Sequence, residues 1–129
     1  MQAGTVSRID VILNINGSGS IPCQLKRHLS PVTVGTIMRM LPLEGNVHQM
    51  GKSIVYFETK VSSGIERKRT DFKKGDIAFL PTEGSVCFYI DDVFDGKPMT
   101  IIGKMLDGID RLNGIKSGDI LSLSRNWFV

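Results

Sequence analysis

Two histidines, two cysteines and a scatter of carboxylates are the residues of this 129-residue chain that could do chemistry. Cys23, Cys87, His28 and His48 match zinc ligands by type, but their separations fit no paired-cysteine spacing. A Cys-His nucleophilic pair is open by residue type and equally unsupported by spacing. Asp91, Asp92 and Asp95 sit in an acidic loop that lacks the full run of oxygen ligands and the closing glutamate of a calcium loop. Glu58 is the carboxylate of most interest. It shares an expected strand face with Tyr56 and Ile54, where a charge beside an aromatic ring would orient a ligand. Arg67 to Lys74 is a basic run, read as a solvated edge strand with a phosphate-binding patch as the alternative. There is no phosphate loop, dinucleotide fingerprint or Gly-x-Ser-x-Gly elbow. This reading assigns no catalytic residue, no metal and no cofactor.

The elements that would position these residues are mostly strands. Asp76–Leu80 and Ser85–Ile90, joined by Pro81, Thr82, Glu83 and Gly84, read as a central hairpin. Both runs are almost continuously apolar, as strands covered on two faces are. Val6 to Ile15 and Ser20 to Lys26 form an opening hairpin around Asn16-Gly17-Ser18-Gly19. Pro22 places the second of these strands at an edge or near its own start. Ser30-Pro31 reads as a helix start, with Ser30 as N-cap, and Val34, Ile37, Met38 and Leu41 make one apolar stripe that Pro42 ends. Leu43 to Gly51 reads as a loop. Ser53 to Val61 is a third strand, with Ile54, Tyr56 and Glu58 on one face and Val55, Phe57 and Thr59 on the other. Ile65–Thr70 is the basic edge strand, and Met99 to Lys104 is another strand. Leu106, Ile109 and Leu112 suggest a short helical turn, and Ile115 to Arg125 closes the chain as a strand.

One pattern occurs twice. Phe72-Lys73-Lys74-Gly75-Asp76-Ile77 and Ile115-Lys116-Ser117-Gly118-Asp119-Ile120 share apolar-Lys-x-Gly-Asp-Ile. Each reads as a turn feeding a strand, with glycine free to take positive φ.

The totals fit one domain over residues 1–129, large enough for a core without disulfide or metal staples. No apolar run reaches the roughly 20 residues of a membrane helix, and the first ten residues lack a signal-peptide pattern. A cytoplasmic protein with reduced, buried cysteines is expected, and Asn16-Gly17-Ser18 is then a turn rather than a glycosylation acceptor. Net charge +3 is far from the dense basic stripe of a nucleic-acid binder. A β-rich edge is where a homodimer would form.

Several motifs resemble the cyclophilins, the barrel-shaped peptidyl-prolyl isomerases. Gly75 to Ile90 is similar to their Gly-x-Leu-Ser-Met-Ala-Asn…Gly-Ser-Gln-Phe-Phe-Ile hairpin, and Gly103 to Leu112 to their Gly-Lys-Val-x-x-Gly-Met-Asp-x-Val segment. Ser30-Pro31-Val32-Thr33 fits the start of their first helix. Leu41 to Gly45, Gly51 to Phe57, Gly75–Pro81 and Val86–Ile90 resemble a group of archaeal and bacterial cyclophilin-like domains without an assigned activity, over roughly Val6 to Ser124. The resemblance implies a mainly β fold: a closed cyclophilin-like barrel of about eight strands with one or two short helices.

The isomerase residues do not carry over. The strand Ile54 to Val61 holds neither the histidine nor the arginine of the cyclophilin Phe-His-Arg motif, and Val86 or Cys87 stands where their glutamine would be. The arginine hydrogen-bonds the prolyl nitrogen as the peptide bond loses conjugation, lowering part of a barrier of about 18–20 kcal/mol. Phe88 and Tyr89 match the aromatic pair, and the lone tryptophan is Trp127. The expected function is therefore binding of a small molecule or short peptide in a barrel-side pocket lined by Tyr56, Glu58, Pro81, Phe88 and Tyr89. A weak prolyl isomerase or a hydrolase-related enzyme is the alternative.

Overall fold

The computed structural model describes residues 7–16 and 19–126. Ten strands and one α-helix follow in chain order. They are β1 (Arg8–Ile15), β2 (Gly19–Lys26), α1 (Pro31–Met40), β3 (Leu43–Asn46), β4 (His48–Met50), β5 (Ile54–Glu58), β6 (Lys68–Arg69), β7 (Asp76–Leu80), β8 (Ser85–Tyr89), β9 (Met99–Met105) and β10 (Ile120–Arg125). A 3-10 turn, Ile109–Leu112, lies between β9 and β10. Residues 17 and 18 of the expected first turn, and Trp127, lie outside the described residues.

The strands form one antiparallel sheet in the order β3-β10-β1-β2-β9-β7-β8-β5-β4, with β6 added beside β9. The two ends of that order are consecutive in sequence. β3 pairs with β10, β4 pairs with β5, and only Val47 separates them. A single stave, Leu43 to Met50, thus bridges both ends of the sheet and makes a nearly closed barrel. The mainly β reading holds. The loop expected over Leu43 to Gly51 is corrected: its glycines and polar residues hide a short strand pair that has only one buried residue at Leu43 and another at Val47.

Inside the barrel, Val11, Leu13, Ile21, Leu25, Val55, Phe57, Ile77, Phe79, Val86, Phe88, Leu121 and Leu123 form the main core, with Val34 and Ile37 of α1 packed onto it. A second apolar layer covers the other face of β5, β7, β8 and β9: Ile54, Ala78, Leu80, Cys87, Tyr89, Met99, Ile101 and the overlying Phe72. Two buried faces explain why β7 and β8 lack apolar–polar alternation.

Two local expectations need correction. Pro22 lies inside β2, which is flanked by β1 and β9 and is not an edge. It is tolerated because β9 pairs only as far as Cys23, and at the next position the Pro22 carbonyl accepts Leu106 N–H while no donor is required of the proline. Ser30 precedes α1 as expected but does not cap it with its side chain; its hydroxyl donates to the Ile101 carbonyl at 2.6 Å. The cap comes from Glu66, whose carboxylate accepts the N–H groups of Thr33 at 2.7 Å and Val32 at 3.2 Å. Desolvation pushes the Glu66 carboxyl up, but hydrogen bonds from Thr33 and Val32 outweigh it and hold the group below its usual range.

Candidate functional site

Among the described residues, the ladder of the barrel opens between β4 and β10, the ends of the strand order being β3 and β4. Val47 stands opposite Asp119 and donates its N–H to that carbonyl at 2.9 Å, in register with the β3–β10 pairing. Two residues further on, the same register would set Gln49 opposite Ser117. There the chain turns away instead: Lys116 N–H donates to the Asp119 carboxylate at 2.9 Å, and Asp119 N–H to the Lys116 carbonyl at 3.0 Å. Backbone groups of an extended strand alternate in direction. With Val47 aimed at β10 and β4 paired to β5, the N–H and C=O of Gln49 face the gap.

A cleft lies on each side of this seam. One, of about 330 Å³, is lined by Val47, His48, Gln49, Tyr56, Ile115, Lys116 and Ser117. The other, of about 320 Å³, includes Gln49, Lys52, Val55, Ile90 and Asn113. Tyr56 and His48 are cross-strand partners, and their rings stack with centroids 5.3 Å apart. Burial, then the charges of Glu83 and Glu58, push the Tyr56 phenol above its ordinary range, so the ring is neutral and keeps its hydroxyl proton.

The five residues expected to line one pocket are not gathered together. Tyr56 opens to the first cleft, half-buried. Glu58, two residues along the same face, is exposed and belongs to a separate cleft of about 440 Å³ with Met40, Pro42 and Lys60. Pro81 is half-buried in the β7–β8 turn. Phe88 points into the barrel, 0% exposed, beside Phe57 at 6.2 Å between ring centroids. Tyr89 faces the opposite way but is 1% exposed, because Phe72 stacks on it at 4.5 Å and its hydroxyl meets Met99 Sδ at 3.5 Å. Neither ring offers surface to a ligand in this arrangement.

The segment that buries Tyr89 comes from the basic run. Arg69 lies over the Phe72 ring at 5.2 Å and 4.0 Å from the Asp76 carboxylate, and Lys74 pairs with Asp110 at 3.2 Å. These charges therefore serve partly as local packing. Of the expected strand Ile65–Thr70, Lys68–Arg69 alone pairs, as an exposed addition to β9.

The cysteines are chemically quiet. Both are buried, and burial pushes each thiol up to about 12; at Cys87 the charge of Glu83 adds to this and Lys97 opposes it. Neither is a nucleophile near neutral pH. Among the described residues no group of three or more His, Cys, Asp or Glu side chains could hold a metal ion.

Sequence reasoning did not place Gln49, Lys116 or His48 at this seam. The signal available was the second Lys-x-Gly-Asp turn, which tells where β10 begins and hence where its ladder must stop.

A family model described as cyclophilin-like matches residues 8–124. In solved structures, the hypothetical protein AF2241 from Archaeoglobus fulgidus is similar with a TM-score of 0.74 and 20% identity, covering 97% of this chain and 100% of its own. McbB, solved in complex with tryptophan, is similar with a TM-score of 0.74 and 15% identity; the match covers 92% of this chain and 45% of McbB. A search of the curated proteins finds no match. Among the described residues, no helix is long and apolar enough to cross a membrane.

Proposed function

Because the chain belongs to the cyclophilin-like family, matched over residues 8–124, we propose that it is a binding protein that takes a small molecule or short peptide in the cleft beside Tyr56. The observation that carries this reading is the stacked Tyr56–His48 pair beside the gap between β4 and β10. An aromatic wall with a phenol and an imidazole at its rim supplies apolar contact and a few directed polar groups, which is the usual make-up of a ligand site. McbB adds a probe: its structure holds tryptophan, so a free aromatic amino acid is tested beside short peptides, including an Xaa-Pro peptide.

The test is an NMR titration of isotope-labelled protein with tryptophan, an Xaa-Pro peptide and unrelated short peptides. Saturable shifts at Tyr56, His48 and Lys116, lost in Tyr56→Ala, are the expected result. Saturable shifts confined to the Glu58 cleft overturn the assignment. Acceleration of cis–trans exchange in the Xaa-Pro peptide would make the protein an isomerase and replace the reading.

A further inference from the structure

We propose that the seam beside β4 binds an extended peptide by strand addition, and that the peptide carries acidic side chains alternating with apolar ones. The inference rests on the reading of the Tyr56 cleft and names its ligand class. A peptide running along His48 to Gly51 would meet the Gln49 N–H and C=O, the pair that the broken register leaves facing the gap. One peptide residue exchanging two hydrogen bonds with Gln49 continues the ladder where Asp119 stops it.

The two clefts then sort the side chains. Val47 is buried in the core, so Gln49, two residues on, shares the barrel-facing side with its cross-strand partner Val55. The peptide residue opposite Gln49 points that way too, into the cleft with Val55 and Ile90. An apolar side chain suits it. Its neighbours point to the outer side, beside His48, Tyr56 and Lys116. Lys116 and Lys52 are exposed and make no ion pair with the described residues. The acidic groups whose charge acts on Tyr56 lie at the other end of β5: Glu58 is its last residue and Glu83 is in the turn before Ser85, the partner of Glu58. At the seam itself the Asp119 carboxylate is turned back onto the Lys116 N–H, so the side-chain charges left facing outward there are those of Lys116 and Lys52, and carboxylates on the peptide complement them.

The probe is the pentapeptide Ac-Thr-Asp-Val-Asp-Thr-NH2, followed by NMR on the labelled protein. The expected result is shifts at Gln49, His48 and Lys116. N-methylation of the central valine weakens binding about tenfold, the scale of one lost ladder hydrogen bond, whereas N-methylation of either aspartate leaves it nearly unchanged. Replacing both aspartates by lysine weakens binding by a similar factor, and Lys116→Glu narrows that difference. Indifference to N-methylation overturns strand addition, and equal binding of the lysine peptide overturns the acidic assignment. Tryptophan shifts lost in Tyr56→Ala, with no shift from any pentapeptide, sink this inference and leave the Tyr56 cleft standing. Absence of shifts at the cleft with every probe sinks both.

Discussion

The two Lys-x-Gly-Asp turns are nearly superposable in their bonding and opposite in their surroundings. In the first, Lys73 N–H donates to the Asp76 carboxylate at 2.9 Å, Asp76 N–H to the Lys73 carbonyl at 2.9 Å, and Gly75 has φ +99°. In the second, Lys116 and Asp119 repeat both bonds at 2.9 and 3.0 Å, and Gly118 has φ +101°. Gly75, however, is buried and continues the sheet on both sides: its N–H donates to Tyr89 and its carbonyl accepts Met105 N–H. Gly118 is exposed, with open space where a Cβ would point. The same local motif closes the barrel between β7 and β9 and opens it between β4 and β10. Local sequence decides the turn; what lies across from it decides whether the turn becomes a joint or a gap.

Substitutions in the two turns test this contrast. The largest effect is expected for Gly75→Ala, which adds a Cβ 3.2 Å from Ile109 Cδ1 to the strain of a positive φ; a loss of about 2–4 kcal/mol in denaturant unfolding is expected. Gly118→Ala meets only the strain and is expected to cost about 1–2 kcal/mol. Equal losses would mean that the packing around the two turns is alike, against the contrast drawn here. Asp76→Ala and Asp119→Ala each remove one turn hydrogen bond, with losses of about 1 kcal/mol, the former the larger because Arg69 also approaches that carboxylate. Lys73→Ala and Lys116→Ala are expected within about 0.5 kcal/mol of the parent by thermal melting, since both turns use the lysine backbone and both lysines are exposed. Amide exchange sharpens the same point without mutation: the Gly75 N–H should be strongly protected and the Gly118 N–H should exchange fast.

Much of the fold was legible in the sequence wherever the signal was local. The central hairpin, the helix opening at Pro31 and the paired turns all declare themselves through neighbouring residues. Ser30 shows the limit. Its type and position predict a side-chain cap, but Glu66, 33 residues from Thr33, takes that role, and no sequence window contains both. Phe88 and Tyr89 show another limit. An apolar run buried on both faces gives no sign of which ring enters the barrel, nor that Phe72 would cover the other. The seam was least legible because its walls, His48 to Tyr56 and Ile115 to Ser117, are joined only by closure of the barrel. What defines it is a hydrogen-bond ladder that stops: the turn at Lys116–Asp119 marks where β10 begins, but nothing in that turn tells which strand stands across from it.

The stave from Leu43 to Met50 has a consequence for how long the chain takes to fold. It sits in the first half of the sequence, yet one half of it pairs with β10, near the end. β1 likewise waits for β10, with Val11 meeting Arg125. Hairpins such as β1–β2 and β7–β8 close early and locally, but the ring cannot be completed until the last strand arrives. Such distant pairings place folding at about milliseconds to seconds rather than microseconds. During synthesis, the edges of β1 and β3 stay bare until β10 has emerged.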